Sequence, residues 1–145
     1  MSNWDSKFVG LANHISTWSK DRSTKVGAVV VNERNKVVSL GYNGFPIGFN
    51  DNIDERHNRP QKYDYTEHAE RNAIYSAAEL GVSLVNCTIY LNWFPCPDCA
   101  RAVIQSGIKT VVCYRQDMDN PRWKDGFDKS NEMLKECGVC IRFVD

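Results

Sequence analysis

Apolar residues recur along this chain at three distinct spacings, and each spacing predicts a different kind of element. Trp4, Phe8, Leu11, Ile15 and Trp18 follow one another at intervals of three and four, which predicts a first helix from about Trp4 to Trp18. From Lys25, two β-branched runs flank a polar stretch over 32–36, which predicts a β-hairpin. Residues 44–66 are rich in Gly, Asn, Asp and Pro and form a long loop of the kind that tends to carry function. Helical spacing returns at Ala69, Ala73, Ile74, Ala77 and Leu80, giving a helix from Thr66, its expected N-cap, to Gly81. A strand over 87–93, a helix from Pro97 to Ser106 closed by Gly107, and a strand over 110–114 follow. A helix over about 122–137 and a strand over 139–144 complete the chain.

The order is therefore α-ββ-α-β-α-β-α-β. Strands joined through helices run parallel with right-handed crossovers. The expectation is an α/β protein with a five-stranded mixed sheet, its last strands parallel, between helix layers. No linker or internal repeat divides residues 1–145, so they read as a single domain.

Composition narrows the function. Eighteen Lys and Arg cancel eighteen Asp and Glu, and no long basic run occurs, which argues against a nucleic-acid partner. A mononucleotide needs only two or three positive groups. No stretch has the length of a membrane span and the first twenty residues lack the apolar run of a signal peptide, so the expected location is the cytoplasm, with no membrane partner. In that compartment six cysteines suggest metal binding or burial rather than disulfides.

Two motifs carry chemistry: His68-Ala69-Glu70 and Pro95-Cys96-Pro97-Asp98-Cys99. Each falls where a loop enters a predicted helix, and Pro97 suits a first helical position. Cys96 and Cys99 can turn toward one point, where the helix dipole favours their thiolates. One imidazole and two thiolates suit tetrahedral Zn2+ with a fourth position open for water. Glu70, two residues past His68, is placed as a proton carrier. The pattern H-x-E followed by P-C-x-x-C is the signature of zinc deaminases. A lone His-x-Glu or Cys-x-x-Cys says little, but here the two occur in order, 28 residues apart.

Other groups read differently. Cys137 and Cys140 span a helix end and a strand start and read as buried or surface thiols; Cys87 and Cys113 read as strand core. His14 reads as structural. His57 stands in the long loop beside Arg56 and Arg59, as either a solvated residue or a ligand-facing one. Phosphate donors are expected first among Arg22, Ser23 and Lys25, next among Arg56, His57 and Arg59, and then at Tyr114 and Arg115.

Three stretches, SKDRSTKVGAVVVNERNKVVSLGYNGFPIG (19–48), HAERNAI (68–74) and FPCPDCARAVIQSGIKTVV (94–112), resemble the deoxycytidylate (dCMP) deaminase family. The resemblance implies a three-layer α-β-α cytidine deaminase-like fold and hydrolysis of dCMP to dUMP and ammonia. It implies His68, Cys96 and Cys99 as zinc ligands and Glu70 as the catalytic proton shuttle. It also implies that Asn43 contacts the nucleoside and that the Ala69 backbone reads the pyrimidine. The family's Gly41-Tyr42-Asn43-Gly44 segment is further linked to regulation by dCTP and dTTP with Mg2+, and its members are commonly homohexamers. Alternatives are a deaminase acting on cytidine, dCTP, guanine or tRNA adenosine, and a non-catalytic zinc module that senses nucleotides.

Overall fold

The computed structural model describes residues 3–145. Its elements run α1 (Asn3–Ser16), β1 (Gly27–Val31), β2 (Val37–Tyr42), a 3-10 turn (Asp54–His57), α2 (Lys62–Tyr65), α3 (Ala69–Leu80), β3 (Thr88–Leu91), α4 (Pro97–Gln105), β4 (Thr110–Tyr114), α5 (Lys124–Glu136) and β5 (Cys140–Val144). The strands form one five-stranded sheet in the order β2-β1-β3-β4-β5. β1 is antiparallel to both its neighbours, whereas β3, β4 and β5 are parallel.

Alternation along each strand assigns the two faces. Val29 and Val31 of β1, Tyr90 of β3 and Val112 of β4 pack with Phe8, Val9, Ala12 and Ile15 of α1. Ala28, Val30, Ile89, Leu91, Val111 and Cys113 turn the other way, onto Ala73 and Ala77 of α3, Val103 of α4 and Leu134 of α5. The sheet thus lies between α1 on one side and α3, α4 and α5 on the other. This is the expected three-layer arrangement.

Two glycines set how closely the layers approach. A Cβ at Gly27 would overlap Ala12 O of α1, and one at Gly41 would overlap Ala73 N and lie 2.6 Å from Ala69 O of α3. Gly41 therefore lets β2 press against the first turn of α3, which carries the site.

Several expectations need correction. α1 stops at Ser16, and Trp4 and Trp18 are about half exposed. The buried stripe keeps Phe8 and Ile15 and also takes in Asp5, Val9, Ala12 and Ser16, with Asp5 paired to Arg142. Thr66 does not cap α3. It closes α2, where its hydroxyl donates to Lys62 O at 2.7 Å, and His68 is the N-cap of α3. Leu80, at the last turn of α3, is exposed. Within the expected loop over 44–66, the 3-10 turn and α2 form, and Gly44 pairs with Glu67 as an isolated bridge. No helix among the described residues is long and apolar enough to cross a membrane.

Candidate active site

The site lies at the carboxyl ends of β2 and β3, which flank the start of antiparallel β1. Crevices at such edges are where open α/β sheets bind ligands. Two helices begin there. α3 is entered through the paired Gly44 and Glu67, whose backbones exchange hydrogen bonds of 2.8 and 3.0 Å. Asn72 Nδ2 donates to Tyr42 O at 2.8 Å and ties the first turn of α3 to β2. α4 is entered through Phe94, whose N–H donates to Gln116 Oε1 at 3.1 Å, and Pro97 occupies its first turn.

His68 is the N-cap of α3 and Cys96 the N-cap of α4, both in extended backbone, with Cys99 in the first turn of α4. Two helix starts thereby converge. His68 Nδ1 lies 3.4 Å from Cys96 Sγ and 3.3 Å from Cys99 Sγ. The three donor atoms lie within 4.8 Å of one another. Ideal tetrahedral coordination by zinc places its nitrogen and sulfur ligands about 3.5 Å apart. The donor set and its spacing therefore fit zinc.

The three donors are electrostatically coupled. The Cys96 thiol is drawn down to about 4, first by its hydrogen bond with Cys99 and also by His68, while Cys99 is pushed up in return. His68 is raised, chiefly by Cys96. Cys96 is therefore a thiolate at neutral pH, and a bound dication would further require the Cys99 proton to leave and His68 to be neutral. Glu70 is 4% exposed, and burial pushes its carboxyl up to about 7, with the Cys96 thiolate acting in the same direction.

His68, Glu70 and Cys96 line a cavity of ≈ 650 Å³. One wall is aromatic: Trp93 meets Trp123 edge-on at 5.9 Å and Phe127 at 6.0 Å. The lining also includes polar Asp21, Thr24, Asn43 and Lys62.

The other residues singled out in the sequence divide clearly. Ala69, fully buried, and Asn43 line the cavity. Asn43 also holds the backbone: Oδ1 accepts from Val26 N at 2.9 Å and Nδ2 donates to Thr24 O at 2.8 Å. Arg22, Ser23, Lys25 and Tyr114 lie outside the lining. Arg22 pairs with Asp54 at 2.8 Å on the surface, Ser23 is exposed, and exposed Lys25 offers only its carbonyl, to Asn92. Tyr114 packs on the α1 face of the sheet, away from the site. Arg115 pairs with Asp145.

The 56–59 cluster splits. Arg59 reaches the main cavity. Arg56 stacks over Phe49, and His57 bonds Asp51 O at 2.6 Å. His57 lines a second cavity of ≈ 250 Å³ with Tyr42, Asn43 and Gly44, whereas Gly41 serves packing. Cys87 and Cys113 are buried, Cys137 and Cys140 exposed, and His14 packs edge-on to Trp18. Asp21, Lys62 and the Trp93–Trp123–Phe127 wall also line the cavity, without a signal in the sequence that marks them. Nothing in a polar stretch such as Pro60-Gln61-Lys62 distinguishes a buried lysine from a solvated one.

Residues 2–115 match the model of the cytidine and deoxycytidylate deaminase zinc-binding region, which covers the hairpin, both helix starts and all four motif residues. The chain belongs to this family. A relative from Aliivibrio fischeri, described as an uncharacterized deaminase in the luxG 3' region, is 41% identical over 99% of this chain and 95% of its own length. Human deoxycytidylate deaminase is 39% identical over 75% of this chain and 63% of its own length. The chain thus spans less than two thirds of that relative, and 54% of the Caenorhabditis elegans one. Among family structures, dCMP deaminase from the cyanophage S-TIM5, solved with dCMP and dUMP, superimposes with a TM-score of 0.80 at 27% identity, covering 99% of both chains.

Proposed function

We propose that the protein hydrolyses dCMP to dUMP and ammonia, supplying dUMP for thymidylate synthesis in the cytoplasm. The observation that carries this reading is the junction of the His68, Cys96 and Cys99 cluster with buried Glu70 at one cavity. The choice of dCMP is supported by the cyanophage neighbour, which was solved with that nucleotide, and by the relatives named for it.

In this mechanism His68, Cys96 and Cys99 would hold the metal. Zinc, when bound, brings the ionisation of water close to neutral pH and so supplies a nucleophile. Glu70 takes a proton from the attacking water and delivers it to the ring nitrogen beside the amino-bearing carbon; it then takes the remaining proton of the added hydroxyl and gives it to the amino group, which leaves as ammonia while the carbonyl forms. Its raised proton affinity suits exchange in both directions near pH 7. The first-turn N–H groups of α3, which have no intrahelical partner, offer donors to the pyrimidine edge at Ala69. Asn43 keeps one N–H of its amide for a sugar hydroxyl, and the aromatic wall excludes water.

The reading extends to regulation by dCTP and dTTP with Mg2+ at the second cavity beside Gly44, and to a homohexamer. It is supported by the open space along Tyr42, Asn43 and Gly44. Ammonia release from dCMP, dCTP, deoxycytidine and guanine, measured side by side, tests the substrate. dCMP is expected to give the highest kcat/KM. Nucleotide binding with no ammonia from any of the four would make the protein a sensor.

A further inference from the structure

The active-site cavity contains a buried cation that the metal chemistry does not use. Lys62 is 8% exposed, although lysine is among the side chains least often buried. Its Nζ lies 3.2 Å from Asp21 Oδ1, and the side chains of both residues are about nine-tenths enclosed. Both also line the cavity.

The surrounding backbone fixes each partner. Lys62 N donates to Asn58 O at 2.9 Å, and Lys62 O accepts from Thr66 N and Thr66 Oγ1 at 2.9 and 2.7 Å. Asp21 Oδ1 accepts from Ser23 N at 2.9 Å and Thr24 N at 3.0 Å. Burial alone would raise the Asp21 carboxyl. The two N–H donors and Lys62 outweigh it and hold the group below its usual range, so it stays ionised. One aspartate oxygen thus serves three donors. An ammonium has three N–H groups, so Lys62 keeps two beyond the one given to Asp21. A buried ion pair is poor value as a stabiliser, because desolvation offsets the attraction. A ligand for the remaining donors explains it better.

The other nearby cations are already engaged or exposed. Arg59 gives its Nε to Tyr63 Oη at 2.6 Å, and Arg122 stacks 4.6 Å over Trp123; both are exposed. Lys20 and Arg22 form surface pairs with Asp51 and Asp54. Lys62 is held in place before any ligand arrives, which lowers the cost of binding an anion. Its place along the cavity is defined by contacts. Gly41 abuts the start of α3, Asn43 bonds Thr24 and Val26, Thr24 bonds Asp21, and Asp21 bonds Lys62. A nucleoside with its base at Glu70 and its sugar at Asn43 has its 5′ substituent left for the far end of that chain.

We infer that Lys62 recognises the 5′-phosphate of a nucleoside monophosphate, and that Asp21 positions it. This rests on the deaminase reading for the placement of the base. The test is calorimetric binding of dUMP and of deoxyuridine to the zinc-loaded protein and to its Lys62→Met and Lys62→Arg variants. Lys62→Met should weaken dUMP by about tenfold or more and deoxyuridine by less than about twofold, and Lys62→Arg should recover part of the loss. Equal weakening of both ligands, or unchanged dUMP affinity, overturns the assignment. If Lys62→Met does not fold, a crystal structure of the wild type with dUMP decides. A phosphate oxygen within about 3.2 Å of Lys62 Nζ supports the inference, and a phosphate held elsewhere overturns it. Both experiments read binding alone. A protein that binds dUMP through Lys62 but releases no ammonia from dCMP therefore contradicts the proposed function and leaves this inference standing.

Discussion

Asn43 grips Thr24 in the lining of the active-site cavity, its Nδ2 donating to the Thr24 carbonyl at 2.8 Å while its Oδ1 receives Val26 N at 2.9 Å. The residue that the family resemblance gives to the nucleoside is therefore also the clasp that holds the strand entering β1. Asn43→Ala should lose about 2 kcal/mol of stability as well as raising KM. Urea unfolding beside steady-state kinetics checks both. A raised KM with an unchanged unfolding midpoint would leave the clasp without energetic weight.

Gly41 acts on the site from below. Adding a methyl group there pushes β2 against Ala69 and Ala73, in the helix that starts at His68. Gly41→Ala is expected to cost about 1–3 kcal/mol and to lower zinc content, because the displaced α3 carries one of the ligands. Thermal unfolding and metal analysis of the purified variant read the two effects.

The core of this molecule could be foreseen, and much of its cavity could not. Proline, cysteine spacing and the apolar run after them placed α4 and its ligands, because each constrains the chain locally. Tyr114, expected as a phosphate donor, packs on the α1 face, since a strand turns successive residues to opposite faces. Cys113 meets the α3–α4 layer, so Tyr114 meets α1. Trp4 and Trp18 followed the helical period of α1, yet the buried stripe, which keeps Phe8 and Ile15, widened to Asp5, whose counter-charge Arg142 lies 137 residues away. Lys62 and Asp21 lie 41 residues apart, and neither has a local signature of burial. Only the closure of the long loop over the sheet edge brings them together.

That Asp5 cluster predicts a pH dependence. Asp5 is 1% exposed and accepts from Arg142 Nε at 2.9 Å, Arg142 Nη2 at 3.0 Å and Tyr90 Oη at 3.0 Å. Burial raises its carboxyl, but Arg142 and Tyr90 outweigh that and hold it below the ordinary value. A lowered folded-state value means that its stabilisation is fully present above the unfolded pKa of about 3.9 and is lost as pH falls through the folded one. Asp5→Asn should cost about 2–3 kcal/mol at pH 7 and flatten the acid limb of the stability curve below about pH 4. Denaturant midpoints across pH 2.5–7, taken as a range of about that width, measure it.

Metal binding has its own signature. The wild type should bind one zinc per chain, and Cys96→Ser or Cys99→Ser should lower that occupancy. Chelation should remove activity, and added zinc should restore it. Elemental analysis and a chelator titration provide the readouts.

Glu70→Ala separates holding the metal from using it. Because Glu70 is not among the three clustered ligands, the variant should keep its zinc and lose about 10²–10⁴-fold in kcat. Zinc loss in step with activity would instead make Glu70 a structural support of the ligands.

The central claim is that this cavity deaminates dCMP. Zinc-loaded protein incubated with dCMP should yield dUMP and ammonia in equal amounts, in a reaction that stops on chelation and resumes with zinc. Binding of dCMP by the zinc-loaded protein with no ammonia released would contradict it.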